Sequence, residues 1–301
     1  MTAVIDVAHL TKTYKDVTAL DDLTLQVEEN SICGLLGRNG SGKTTTMSLL
    51  TAQALPTSGR IRVFGEDPYE NARVLSHMCF VRESQKYPED FTARHALLAA
   101  SLFHPRWDDE FARSLVADLR LPLDTRIKKL SRGQLSAVGV VIGLASRAPV
   151  TFFDEPYLGL DAVARSLFYK RLLEDYAEHP RTIILSSHLI DEIADLIDQV
   201  ILVDDGALIL HESTDDLRGR ALTLTGDAEA VDQLVGTREV LHRESLGRVA
   251  SVTVMGSLTD DEDAEARRLG LEHSAVPLQQ LIVHLSQRDQ RTATRSQGAA
   301  S

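Results

Sequence analysis

The sequence predicts an α/β fold in which a buried parallel sheet is wound with helical crossovers, followed by a small C-terminal α/β appendage. Three observations carry this expectation. The runs Ser31 to Leu36, Val150 to Phe153 and Thr182 to Leu185 are almost wholly apolar, as strands buried on both faces are. Helical patterns lie between them, and alternation of strand and helix favours parallel pairing through crossovers. At 301 residues the chain exceeds what a single core fills comfortably, so a main domain plus an appendage is expected.

Taken in order, Val4 to Leu10 and Leu23 to Val27 alternate apolar and polar residues, the pattern of strands with one buried face, separated by a turn-rich stretch around Lys15 and Asp16. The buried strand Ser31 to Leu36 runs into glycines. Thr44 to Leu55 reads as a helix ended by Pro56 and Gly59, and Arg60 to Phe64 returns as a short strand. From Phe91 to Leu121 the period is helical, with Leu97, Leu98, Phe111, Leu115, Val116 and Leu119 expected on the buried side. Ala162 to Tyr176 is an amphipathic helix between the second and third buried strands. Val200 to Val203 and Ala207 to Leu210 flank Asp205-Gly206, a strong hairpin signal. Beyond His211 come short β-like runs, Ala221 to Leu224 and Val249 to Val254, and helical stretches at Ala228 to Leu234 and Asp261 to Arg268. The expected boundaries are a main domain at 1–215, an accessory domain at 216–286 and a polar, disordered tail at 287–301.

Composition narrows the function. A formal net charge of -12 provides no global field for a nucleic-acid backbone, so no nucleic-acid partner is expected. Two cysteines, Cys33 and Cys79, make neither a disulfide framework nor a zinc set and read as small buried hydrophobes. No apolar run approaches the roughly 20 residues a bilayer span requires, and the N-terminus is too polar for a signal peptide, so a membrane role would need a partner that supplies the spans.

Residues 37 to 44, GRNGSGKT, follow a buried strand and open a helix, the context a phosphate loop requires. Gly37, Gly40 and Gly42 let the backbone curl around Arg38, Asn39 and Ser41 so that successive N–H groups face an anion. The helix N-terminus adds its positive end. Lys43 places a point charge on the outer phosphates, the Thr44 hydroxyl suits Mg²⁺, and Thr45 reaches the inner phosphate.

Two further segments, LSRGQ at Leu130 to Gln134 ahead of a helical run and FFDEP at Phe152 to Pro156 closing a buried strand, make the chain resemble the ATP-binding cassette (ABC) ATPases over residues 3 to about 215. The resemblance implies a phosphate-loop NTPase sheet of the ABC type with an antiparallel β-subdomain and a helical subdomain at about 88–147. It implies ATP and Mg²⁺ as ligands. Ser131, Gly133 and Gln134 correspond to the signature motif, which in this family contacts nucleotide bound by the opposite protomer; its middle residue, usually glycine, is Arg132 here. Asp154 corresponds to the carboxylate that orients Mg²⁺ and Glu155 to the general base. A carboxylate beside phosphates and a second carboxylate is harder to ionise, which raises its basicity. GLD at Gly159 to Asp161 resembles the D-loop, and His188 the histidine that holds the γ-phosphate and the attacking water. Tyr14 stands where the family stacks an aromatic on adenine.

The Q-loop departs from the family pattern. The register that should carry glutamine lands on Glu83, with Gln85 two residues later. Gln85 is favoured as the residue serving catalysis and Mg²⁺, because a γ-phosphate site gains nothing from another negative charge. The resemblance further implies a dimer, homomeric or with a second cassette, an integral-membrane permease partner received near Phe91, Phe103 and Trp107, and a place on the cytoplasmic face of the cell membrane. At least two of those three aromatics are expected in the core instead. The interval from Lys43 to Ser131 is too short for the long coiled coil of chromosome-type relatives; a soluble non-transport ABC ATPase and an ATP-dependent regulatory cassette are the alternatives. Cargo and direction of transport stay open.

Overall fold

The computed structural model describes residues 3–83 and 85–285. The expected tail at 287–301 lies outside them. Among the described residues two compact units emerge: one of residues 3–83, 85–189 and 196–211, the other of residues 190–195 and 212–285.

The first unit begins with a long hairpin, β1 (Ala3–Tyr14) and β2 (Val17–Glu28), turned at Lys15 with φ 52°. Alternate residues of the two strands, among them Ile5, Val7, Leu23 and Leu25, are buried, as a sheet with one core face requires. Strand β3 (Ile32–Leu36) is buried at all five positions, and helix α1 (Lys43–Leu50) follows the glycine loop. This helix stops short of the expected Leu55: Ala52 adopts a left-handed φ of 54°, which no helix continues through. Strand β4 (Ser58–Val63) joins β1 antiparallel, completing a three-stranded sheet ordered β2-β1-β4.

Helix α2 (Ala72–Leu75) and strand β5 (Met78–Val81) lead into a helical region of α3 (Ala93–Phe103), α4 (Asp109–Asp118) and α5 (Arg132–Ala145). The helical period read across 91–121 is broken at His104, whose extended backbone is what a following proline imposes; Asp108 then caps α4 by accepting from Phe111 N at 2.7 Å. Of the side chains expected inside, Leu115 is buried, whereas Leu98 is 58% exposed and faces solvent with Leu102 and Phe103. Phe91 and Trp107 are half-buried.

Strand β6 (Val150–Asp154), helix α6 (Ala162–Glu178), strand β7 (Thr182–Ser187), helix α7 (Ile190–Ile193) and strands β8 (Gln199–Asp204) and β9 (Ala207–Ser213) complete the order. The main sheet runs β5-β6-β7-β3-β8-β9, with β5 through β8 parallel. Asp205 and Gly206, both at positive φ, turn β8 into β9 as the hairpin signal predicts. The register sets Leu36 beside Ser187 and Asp154 beside Ser186. The loops after β3, β6 and β7 therefore leave one edge of the sheet together, where open parallel sheets bind ligands.

In the second unit, α8 (Thr214–Leu217) precedes β10 (Ala221–Asp227), α9 (Ala228–Val235), β11 (Val240–Leu246), β12 (Val249–Met255), α10 (Asp260–Arg268) and β13 (Glu272–Ala275). Its antiparallel sheet is ordered β11-β12-β10-β13, and Leu224, Val231, Val252, Val254 and Ala266 form its core. The edge strands β11 and β13 bury almost nothing, so neither shows the alternation that would reveal it in sequence.

Candidate functional site

The loop after β3 wraps back on itself before α1. Gly42 occupies a left-handed φ of 109°, and a Cβ there would meet Leu20 Cδ2 at 2.7 Å and Ala19 O at 2.8 Å, so only glycine fits. No side chain caps α1 from this position, which leaves its first-turn N–H groups without a capping partner. Lys43 is 6% exposed, and its Nζ donates to Gly37 O at 2.7 Å and Arg38 O at 3.0 Å, closing the loop with its own charge. Burial lowers the ammonium from its ordinary value, against the raising effect of Glu155.

Across the sheet edge, Asp154 at the end of β6 takes two hydroxyls: Thr44 Oγ1 donates to Oδ2 at 2.8 Å and Ser186 Oγ to Oδ1 at 2.8 Å. Glu155 follows with φ 49°, a left-handed backbone for a non-glycine residue of the kind that clusters at functional sites. Its N–H donates to Ser186 Oγ at 2.9 Å, and its Oε1 lies 3.6 Å from Lys43 Nζ. The other oxygen, Oε2, meets His188 Nδ1 at 2.6 Å and accepts the Tyr157 hydroxyl at 2.7 Å. A carboxylate can only accept in the contact with His188, which assigns the proton to Nδ1.

A cavity of about 500 Å³ opens here, lined by Asn39, Gly40, Gly42, Lys43, Thr44, Thr45, Glu83, Arg132, Glu155 and His188 among others. Buried Ser41 Oγ, in the same loop, has no hydrogen-bond partner among the described residues. An anion-seeking lysine, free helix N–H groups and an orphaned hydroxyl in one loop fit a polyphosphate. The oxygens of Thr44, which lines the cavity, and of Asp154, hydrogen-bonded to it, are hard donors that fit Mg²⁺.

Other expected residues stand apart from this cavity. Ser131 and Gln134 satisfy each other in a capping box at the start of α5: Ser131 Oγ accepts from Gln134 N at 3.2 Å, and Gln134 Oε1 from Ser131 N at 3.0 Å. Asp161 caps α6 by accepting from Ala164 N at 2.8 Å. Gly133 has a packing reason to be glycine, since a Cβ there would lie 2.4 Å from Gly159 O. Tyr14 ends β1 half-exposed, with Lys12 Nζ 4.6 Å from its ring centre, and is not a wall of the phosphate cavity.

The two Q-loop candidates line different hollows. Gln85 lines a separate, largely apolar hollow with Tyr87 and Phe91, and Glu83 faces the phosphate loop. The charge objection to Glu83 is answered by Arg132, whose Nη2 donates to Glu83 Oε1 at 2.6 Å. Sequence reading also passed over Tyr157. Its hydroxyl is buried within reach of Glu155, Ser187 at 3.0 Å and His188. Burial pushes this phenol up, so it stays a neutral donor.

Fold and cavity together define a nucleotide hydrolase of the phosphate-loop type. A sequence model described as "ABC transporter" matches residues 20–158. The bacitracin transport ATP-binding protein BcrA of Bacillus licheniformis is 31% identical over 224 residues, covering 73% of this chain and 73% of that protein. The Nod factor export ATP-binding protein I of Paraburkholderia xenovorans is 32% identical over 214 residues, covering 69% and 70%. Among solved structures, an ATP-binding subunit of an ABC transporter superposes with a TM-score of 0.65 at 24% identity over 71% of this chain and 91% of that one. A dimeric ATP-binding cassette in a post-hydrolysis state with ADP and Pi gives 0.62 at 20% identity over 70% and 98%. The chain belongs to the family of ABC transporter ATP-binding proteins, and within it is an ATP-binding, ATP-hydrolysing transporter subunit. Among the described residues no helix is long and apolar enough to cross a membrane.

Proposed function

We propose that the cavity holds the triphosphate of ATP with Mg²⁺ and that Glu155 is the base that activates water against the γ-phosphate. The phosphate-loop N–H groups and Lys43 surround the phosphates, and Thr44 and Asp154 hold the ion. Bound there, Mg²⁺ supplies positive charge to the phosphate oxygens. Glu155, fixed by Tyr157 and His188, accepts the proton of the attacking water, and His188 orients that water. Tyr14, its ring half-exposed at the end of β1, stacks on adenine. Phosphoryl transfer needs positioning and charge compensation above all, and these groups provide both.

Ser131, Gly133, Gln134 and Asp161 serve nucleotide on a second cassette, identical or related. In support, none of the four lines the chain's own cavity, and a cassette of this fold has been solved as a dimer. ATP closes that dimer and hydrolysis opens it, driving a separate membrane-spanning partner from the cytoplasmic face. The exposed pair Leu98 and Leu102 on α3, which the i, i+4 spacing places on one side, supports a docking surface for that partner.

The observation that carries the reading is the meeting of Lys43, Thr44 with Asp154 hydrogen-bonded behind it, and the Glu155–His188 pair at one cavity. The test is the ATP hydrolysis rate of the purified chain against its own concentration. A specific activity that rises with concentration and then saturates is expected of a site completed by a second copy. A specific activity independent of concentration, in a chain that sediments as a monomer, would contradict it.

A further inference from the structure

Glu83 and Arg132 lie 49 positions apart, on the segment after β5 and on the first residue of α5, and both line the phosphate cavity. Their side chains are 42% and 68% exposed. An ion pair so exposed contributes little to folding. Its position is what gives it consequence: the carboxylate shares a cavity with Glu155, where the incoming ligand is itself highly anionic. The stem of Arg132 is placed by a second constraint. A Cβ on Gly159 would meet Arg132 Cγ at 2.9 Å, so the glycine leaves room for the arginine to lie across the loop after β6 and extend toward Glu83.

We propose that Arg132 is a positioning residue for ATP hydrolysis, holding and neutralising the Glu83 carboxylate so that an acidic side chain can stand at the phosphate cavity without repelling the γ-phosphate. The inference rests on the reading of this cavity as the ATP site. The two residues act as one unit. Without Arg132, Glu83 is a bare negative charge facing a polyphosphate; without Glu83, Arg132 is a free cation at the same place. With both replaced by neutral side chains the field at the phosphates returns close to its starting value. The effect belongs to ATP affinity and not to the stability of the chain.

The experiment is a double-mutant cycle on the full-length chain, with KM for MgATP, kcat and Tm measured for wild type, Arg132→Ala, Glu83→Gln and the double variant. Alanine keeps the helix start, so the arginine charge is what is lost. Arg132→Ala is expected to raise KM about five- to tenfold, Glu83→Gln to leave it equal or lower, and the double variant to return it to within about twofold of wild type. Tm should stay within about 2 °C throughout, since a merely structural pair of this exposure moves neither quantity more. A double variant whose KM is the product of the single effects, or an Arg132→Ala protein with wild-type KM, would overturn the proposal while leaving the ATP site intact. A wild-type chain that neither binds nor hydrolyses ATP would overturn the site reading and this inference together.

Discussion

The hydroxyl of Tyr157 donates to Oε2 of Glu155 across 2.7 Å, from a ring that is 1% exposed. The same oxygen meets His188 Nδ1 at 2.6 Å, so one carboxylate oxygen is fixed from two sides while the other lies toward Lys43. A carboxylate held this way keeps one orientation with respect to the phosphate loop.

Replacing Tyr157 by phenylalanine keeps the packing and removes only the donor. The loss of one buried hydrogen bond is on the order of 1–3 kcal/mol, so kcat should fall about 5- to 150-fold with KM for ATP nearly unchanged. Steady-state kinetics check it. A raised KM at constant kcat would assign Tyr157 to nucleotide binding instead.

Gly133→Ala should be harmful in spite of helix propensity. Alanine is about 1 kcal/mol better than glycine inside a helix, yet here its Cβ would sit 2.4 Å from Gly159 O, a backbone atom that cannot swing aside. Separation of α5 from the loop after β6 is the expected result. Hydrolysis should drop at least about tenfold while the far-ultraviolet circular dichroism stays native.

The two thiols should be silent in the folded protein. Burial raises Cys33 to about 12, with Asp198 adding to the effect, and raises Cys79 to about 11 against lowering contributions from Ser146 and Arg181. At pH 8 about one Cys79 in a thousand is thiolate and fewer of Cys33. Neither should be alkylated by iodoacetamide within an hour at pH 8, and both should react fully in denaturant. Rapid labelling of the native chain would place one of them at the surface.

What the sequence makes legible depends on how locally each feature is specified. The phosphate loop between β3 and α1 and the turn at Asp205-Gly206 are written in consecutive residues, and each lies where the sequence places it. The three apolar strands are equally plain because burial on both faces leaves no ambiguity of pattern. Features that depend on distant partners are not legible in this way. Glu83 reads as a misfit until Arg132 is seen beside it, and the isolated charge argument therefore favours Gln85, which lines a different hollow. Tyr157 is inconspicuous until β7 brings Ser187 and His188 to its hydroxyl. In α3 the helical period identifies a helix but not which of its apolar residues meets the core, so Leu98 reads as buried and is exposed.

The central claim is that Glu155 is the base in a site that hydrolyses ATP. It is tested most directly by the steady-state release of phosphate from MgATP by Glu155→Gln against wild type, at a protein concentration that saturates specific activity. Glutamine keeps the shape and removes the proton acceptor. Turnover should fall by about a hundredfold or more, with ATP still bound and a stable ATP-loaded dimer accumulating. Phosphate release by Glu155→Gln near the wild-type rate would contradict the account.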